Sequence, residues 1–288
     1  MALTKKPAKY IALLAGLILC LLLSACTTKI AYNYLDWAVE WYVDDLVTLN
    51  GDQEWMLTNA VEQELLWHRQ TQLPHYVDLL DQLHANVQEG MATEDFRYMF
   101  NNGEKHWLIL KHHTIPTITA LLKSLTDSQV EELLSNLEEK NQQLEEEFVD
   151  KPKNERVQQR FERMTDRIES WTGSLNDQQV ELVQRWSRKV KPLSHQWIAI
   201  RRTWQANLGQ ILRNHRDKPA FDKLIHDLFY NSRKYWPTWY HDAYYHNIHL
   251  TLQMMTKVTK QLTEQQKQHV LDEIKRLRNN LHELAEDI

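Results

Sequence analysis

The chain of 288 residues carries 34 basic and 39 acidic residues, 14 histidines, two cysteines, six glycines and eleven each of tryptophan and tyrosine. A formal charge of −5 provides no basic surface for nucleic acid. With so few glycines and no alternating apolar pattern there is little room for strands, while the aromatics supply ample material for a helical core.

Lys5, Lys6 and Lys9 form a basic start, followed by an apolar run from Tyr10 to Leu23. That run is shorter than the roughly 20 residues a spanning helix needs, so it reads as the apolar region of a secretory signal. Leu23-Ser24-Ala25-Cys26 closes it with two small residues before a cysteine, which resembles the lipobox of bacterial lipoproteins. Residues 1–25 are expected to be removed, leaving Cys26 to carry diacylglycerol on its thiol and an acyl chain such as palmitate on its amine. Cys20 leaves with the signal, so no intramolecular disulfide is available to the mature chain. Residues 26–288 then hold 31 basic against 39 acidic residues, a net −8. Thr27, rather than Asp, follows the cysteine; by resemblance to the known sorting pattern this implies export to the outer membrane, with the periplasmic leaflet as the default.

Residues 26–32 are expected to form a lipidated tether and 33–288 a helical domain. Cap residues, prolines and apolar spacing predict helices near 33–48, 52–71, 75–89, 94–112, 116–123, 127–148, 154–172, 177–190, 193–214, 219–233, 237–260 and 264–286. The expected fold is all-α, an elongated bundle of about 10–12 helices. Dense charge around Pro152 allows a subdivision near 150–153. The acidic stretch from Glu138 to Glu147 reads as a solvated face with pairing four residues apart.

On the first helix Tyr34, Trp37 and Trp41 share a face flanked by Asp36, Asp44 and Asp45. A core face is the commoner outcome for such a stripe; an interfacial collar or docking surface is the alternative. Trp67-His68-Arg69 precedes Leu73-Pro74-His75-Tyr76, where Pro74 should begin a new helix. His68 and Arg69 are expected to pair with Glu62, Glu64 or Asp78, with anion binding as the rarer option. The aromatic cluster from Phe229 to Tyr245, including Trp236, Trp239 and Tyr240, is expected to be largely core; an exposed subset would form a cleft. Asp242, His246 and His249 lie at i, i+4 and i+7 and could hold a divalent metal. A polar helix seam explains them more simply, so no metal is expected. Glycine–serine elbows and phosphate-cradling glycine loops are missing. His282-Glu283 starts a zinc-protease-like string, but Glu286 stands where its second histidine belongs.

One short motif recurs. Leu125-Thr126-Asp127-Ser128-Gln129, Leu175-Asn176-Asp177-Gln178-Gln179 and Leu262-Thr263-Glu264-Gln265-Gln266 each precede an apolar-periodic run, and Leu49-Asn50-Gly51-Asp52-Gln53 is a looser copy. Thr or Asn caps a helix and Gln three residues on reaches back to the cap, so caps alone account for every position. The uneven spacing rules out a solenoid of fixed period.

Tyr32-Asn33, Asp36-Trp37, Trp41, Asp44-Asp45, Trp67-His68-Arg69, Leu73-Pro74 and Tyr76, continuing through Arg202, Trp204 and Tyr235-Trp236, resemble an uncharacterised family of all-helical lipoproteins of Gram-negative bacteria. That resemblance implies lipidation and a helical fold, with no known activity and no catalytic residues to carry over. The repeated caps also resemble the Leu-Thr-x-x-Gln motifs of small periplasmic chaperones, although two copies here have Asn50 or Asn176 in place of Thr. The expected function is a non-enzymatic envelope protein that binds other envelope proteins or peptides. Its contacts are sought among Trp37, Trp41, Trp67, His68, Arg69, Tyr76, Trp236, Trp239 and Tyr240. Holding of unfolded clients is the second reading, and a metal or enzymatic bundle the third.

Overall fold

The computed structural model describes residues 25–287, with side chains from Thr28. The signal segment lies outside these residues. Among the described residues there are twelve α-helices, one 3-10 turn and no strand. The chain is an all-α helical bundle.

The helices are α1 (Ala25–Asn33), α2 (Leu35–Asp44), α3 (Gly51–Thr71), α4 (Leu73–Glu89), α5 (Thr93–Ser124) and α6 (Asp127–Phe148). They continue with α7 (Lys153–Thr172), α8 (Asp177–Lys189), α9 (Ser194–His215), α10 (Phe221–Tyr230), α11 (Thr238–Thr259) and α12 (Glu264–Glu286). Two expectations are corrected. Residues 26–32 are helical rather than a slack tether, because α1 has a partner: Tyr32 is buried against α4 and α12, and Lys29 Nζ meets Glu283 Oε2 at 2.7 Å. The segments 94–112 and 116–123 form one helix through Pro116. Proline removes one backbone donor there, and the Thr114 hydroxyl adds a bond to the Leu110 carbonyl at 3.0 Å in the preceding turn.

All four recurrent motifs start helices, and each is a complete capping box. Their glutamines do more than cap. Gln53 Nε2 donates to Gln129 Oε1 at 3.1 Å and Gln129 Nε2 returns a bond to Gln53 Oε1 at 2.7 Å. Each amide also donates to a carbonyl two residues before the partner's cap, Ser124 at 2.9 Å and Thr48 at 2.8 Å. The pattern repeats between Gln179 and Gln266, at 3.0 and 2.9 Å across the pair and 3.1 and 2.8 Å to the carbonyls of Gln261 and Ser174. Every Nε2 thus donates twice, and every Oε1 accepts from its own cap's N–H and from its partner, with the Thr126 hydroxyl adding a third bond at Gln129. That satisfies both amides in a nearly water-free site. Each junction unites one Asn-capped and one Thr-capped helix start.

The first junction stands beside a core of Leu125, Val130, Leu133, Leu208 and Phe221 and their neighbours from α5, α6, α9 and α10. A second core, around Ile168, Val183 and Val258, joins α7, α8 and α11. The chain crosses from one to the other at Val149–Pro152, then returns to the first core with α9 and α10. The position near 150–153 therefore marks a change of core, not a boundary between sequence-contiguous domains. The glutamate run on α6 is not simply a solvated face. Arg202 on α9 takes Glu138 at 2.7 Å and Glu145 at 2.6 Å, and Asn141 is fully buried against Gln205 and Arg201.

α4 and α12 run along each other, with Leu73, Val77, Leu277 and Leu281 between them. Gly173, at φ 72°, ends α7 in the left-handed region that glycine tolerates best and turns the chain toward the second junction.

Candidate functional site

The expected contact residues fall into three groups. Trp67, His68, Arg69 and Tyr76 form an internal clamp. His68 Nδ1 shares a hydrogen bond with the Tyr32 hydroxyl at 2.9 Å, and Arg69 lies over the Tyr32 ring and donates to Asn33 Oδ1 at 3.3 Å and the Asp287 carbonyl at 3.2 Å. Burial, with a smaller contribution from nearby His106, pushes the His68 imidazole down to about 4, and burial pushes the Tyr32 hydroxyl up to about 12. The expected partners Glu62, Glu64 and Asp78 are not used. Glu64 instead accepts from Thr117 at 2.9 Å and meets His113 Nδ1 at 2.6 Å, and the His113 ring stacks on Trp67 with centroids 3.6 Å apart. These side chains hold α1 on α3, α4 and α12.

Trp37 and Trp41 form the second group. Tyr34 and Trp37 are each 62% exposed, and Trp41, partly stacked on Trp37, is also exposed. The expected core face is therefore a surface stripe, and Ile30 extends it toward Cys26. The core-facing side of α2 is the opposite one, carrying Val39, Tyr42 and Val43.

The third group answers whether the aromatics after Phe229 are core or cleft: they divide. Phe229 and Tyr235 pack on the first core. Tyr230, Trp236, Tyr240 and Tyr244 line a cleft of about 710 Å³. Trp239 turns outward, 53% exposed, and Tyr240 is a floor residue, only 4% exposed. Local sequence explains the shape. α10 stops at Tyr230, a 3-10 turn spans Ser232–Tyr235, and Pro237 forces Trp236 into an extended conformation before α11 begins. Trp236 then packs against Tyr240 and Tyr244 at 5.1 and 5.0 Å between centroids.

The opposite wall was not singled out from the sequence. Glu104, Trp107, Leu108 and Lys111 are spaced i, i+3, i+4 and i+7 on α5, and Trp197 comes from α9. Trp107 is 52% exposed, and the neighbouring Leu108 is exposed with it. Its spacing with Leu108 and Lys111 was the available signal. The charges in the cleft are committed. Arg233 pairs with Glu104, donates to the Tyr245 hydroxyl at 3.0 Å and lies over Trp236 at 5.2 Å; Lys234 pairs with Asp227. Lys111 donates to the Tyr230 carbonyl at 3.1 Å, and burial, helped by Arg233, holds its ammonium below the usual lysine range. Burial likewise raises the Tyr240 and Tyr244 hydroxyls. The cleft offers aromatic faces framed by neutralised ion pairs, a surface that favours flat or apolar groups over bare ions.

Asp242, His246 and His249 are exposed and do not converge. Asp242 lies nearest His241, at 3.9 Å, and His249 bonds Gln253 at 2.9 Å. Among the described residues no group of three or more His, Cys, Asp or Glu side chains could hold a metal ion, and no helix is long and apolar enough to cross a membrane.

Fold and cleft together define an all-helical bundle with an aromatic-lined cleft. Neither a curated protein nor a solved structure gives a significant match to the chain. The model of a family of unknown function, DUF6279, matches residues 45–241, and the chain belongs to that family. The match includes the first glutamine junction and most of the cleft. It excludes the Tyr32-to-Asp44 segment and the last cap.

Proposed function

We propose that this chain is a lipid-anchored envelope protein, held at the periplasmic face of the outer membrane, that binds a segment of another envelope protein in its aromatic cleft. The observation that carries the reading is the pair of exposed tryptophans, Trp107 and Trp197, standing over a floor of Trp236, Tyr240 and Tyr244. Aromatic anchors dominate protein recognition because they bury large area at low entropic cost. The anchor reading rests on the Leu23-to-Cys26 sequence. It is supported by the stripe of Ile30, Tyr34, Trp37 and Trp41, which begins four residues beyond Cys26 and has the composition of an interfacial aromatic belt. The repeats that motivated a client-holding role are engaged in internal glutamine pairs, so binding by the cleft is the better supported reading.

The test is photo-crosslinking in cells from probes replacing Trp107, Leu108 and Trp197, with Trp55, exposed but outside the cleft lining, as control. One or two discrete protein adducts from the cleft probes, absent at Trp55, are expected. Identical patterns at all four positions, or none, would overturn cleft binding. Mass analysis of the N-terminal peptide tests the anchor separately: an acylated Cys26 is expected, and a chain starting at Met1 with a free thiol would sink it.

A further inference from the structure

A second cavity lies under α2, of about 470 Å³, and it is chemically unlike the cleft. α2 supplies Val39, Tyr42 and Val43; α3 supplies Met56, Leu57, Ala60, Val61 and Leu65; Ile118, Leu121 and Leu122 of α5 close the far side. The only carboxylate in the lining is Glu64, whose two oxygens accept from Thr117 and face His113. The side chains of His113 and Glu64 are 39% and 20% exposed, so this polar end reaches solvent. An apolar cavity of about 150 Å³ accommodates one benzene, so this one has room for roughly three times as much hydrocarbon, the bulk of about 18 carbons.

α2 has two apolar faces. Val39, Tyr42 and Val43 look into the cavity. Tyr34, Trp37 and Trp41 lie roughly 180° away at 3.6 residues per turn and are exposed. None of its residues is fully buried. An apolar face on the outer side of the cavity's wall needs an apolar neighbour. On the anchor reading the acylated Cys26 stands at the start of α1, which puts that neighbour, a lipid surface, beside this helix.

We infer that the cavity under α2 binds one long acyl chain of an amine-headed lipid, the chain lying among α2, α3 and α5 and the ammonium meeting Glu64 at the solvent end. A carboxylate is an acceptor without donors, so it favours an ammonium head over a fatty-acid carboxylate. The placement beside a membrane rests on the anchor reading; the cavity chemistry does not.

The experiment uses the full chain reconstituted in phosphatidylethanolamine vesicles containing a diazirine-tailed phosphatidylethanolamine. A parallel arm presents soluble diazirine-tailed palmitoyl-lysophosphatidylethanolamine without vesicles. After photolysis, adducts are expected on lining residues of α3 and α5, around Val61 and Ile118, in one or both arms. The first arm reports bilayer lipid as the source and the second free lysolipid. Ala60→Phe fills the cavity and should reduce those adducts several-fold without lowering the melting temperature. Ile118→Phe repeats the block from the opposite wall should the first variant fold poorly. Replacing the lysolipid by a diazirine-tailed palmitate should weaken labelling, and Glu64→Gln should narrow that difference. Adducts confined to residues 26–41 in both arms, or cavity adducts indifferent to both blocking variants, would overturn the proposal. The same digest reports the mass of the Cys26 peptide, so failure of the anchor reading is told apart from failure of the cavity.

Discussion

The two glutamine junctions are built from the same parts, an Asn-capped helix start, a Thr-capped helix start and a reciprocal amide pair, yet they sit in different surroundings. At the second, Gln179 is fully buried, and Gln266 lies with Asn176, Thr263 and Ser174 along an open, partly polar groove. At the first, Gln129 reaches the edge of the buried range, and Leu57, Leu122, Leu125 and Leu133 nearby also line the cavity under α2. One junction backs a surface groove; the other frames a largely apolar cavity. The comparison separates two uses of the same bond pattern. The lock that backs the groove has its central amide fully buried, and the frame beside the cavity has one amide at the edge of the buried range.

The largest effect should come from breaking the buried lock. Gln179→Ala leaves the Gln266 amide, the Gln261 carbonyl and the Asn176 N–H without their partners, a loss of about 4 kcal/mol. Gln53→Ala breaks the same number of bonds at a side chain 3% exposed rather than fully buried, and about 3 kcal/mol is expected. Urea denaturation of the two variants measures both, and a larger loss at Gln53 would invert the comparison.

Acid separates both junctions from the clamp at α1. No bond in either junction involves an ionisable side chain. His68 is neutral in the folded chain, with its pKa at about 4 against 6.5 when unperturbed. The unfolded chain therefore takes up a proton between pH 6.5 and about 4 that the folded chain refuses, so stability falls as pH is lowered through that window and is flat above it. The full loss is about 3 kcal/mol. A His68→Phe chain should lose much of this acid sensitivity, while Gln179→Ala should keep it; melting curves across the window read both.

The smallest effect is the coupling itself. In double-mutant cycles Gln53 and Gln129 should couple by about 1–2 kcal/mol, and Gln53 with Gln179 should add to within about 0.5 kcal/mol. Coupling between the junctions would mean that they act as one unit rather than two.

The helix starts were legible because a capping box is local: cap, three residues, glutamine, apolar run. Which start meets which was not, since no period in the sequence encodes a pairing between positions 53 and 129 or 179 and 266. One clue was present. Either Glu or Gln completes a capping box, but two carboxylates face to face would repel, whereas an amide donates and accepts at once. Glutamine in all four copies is the trace of that second duty. The site was half legible. Trp236 and Tyr240 stood out within a dense aromatic run, while Trp107 and Trp197 come from distant helices and needed the bundle to bring them together. The outward Tyr34, Trp37 and Trp41 defeated the core expectation because α2 is apolar on two sides, and periodicity alone does not tell which side is covered by protein. Pro116 was read as a break because its local cost is plain, whereas the packing of α5 on α10 and α11 that overrides it is not local.

α12 has one consequence for how the chain is made. Lys29 finds Glu283, and Arg69 reaches the backbone of Asp287, across separations of 254 and 218 residues. Contacts this distant in sequence form late and slow a fold down. In a chain made from its N-terminus, α1 can meet α3 and α4 early but lacks its contacts with α12 until the last helix follows. Through that interval part of its apolar surface is open to whatever lies beside it. The closing of α12 over α1 is therefore a timer, setting how long the newly made chain keeps part of this surface open before its first and last helices shield each other.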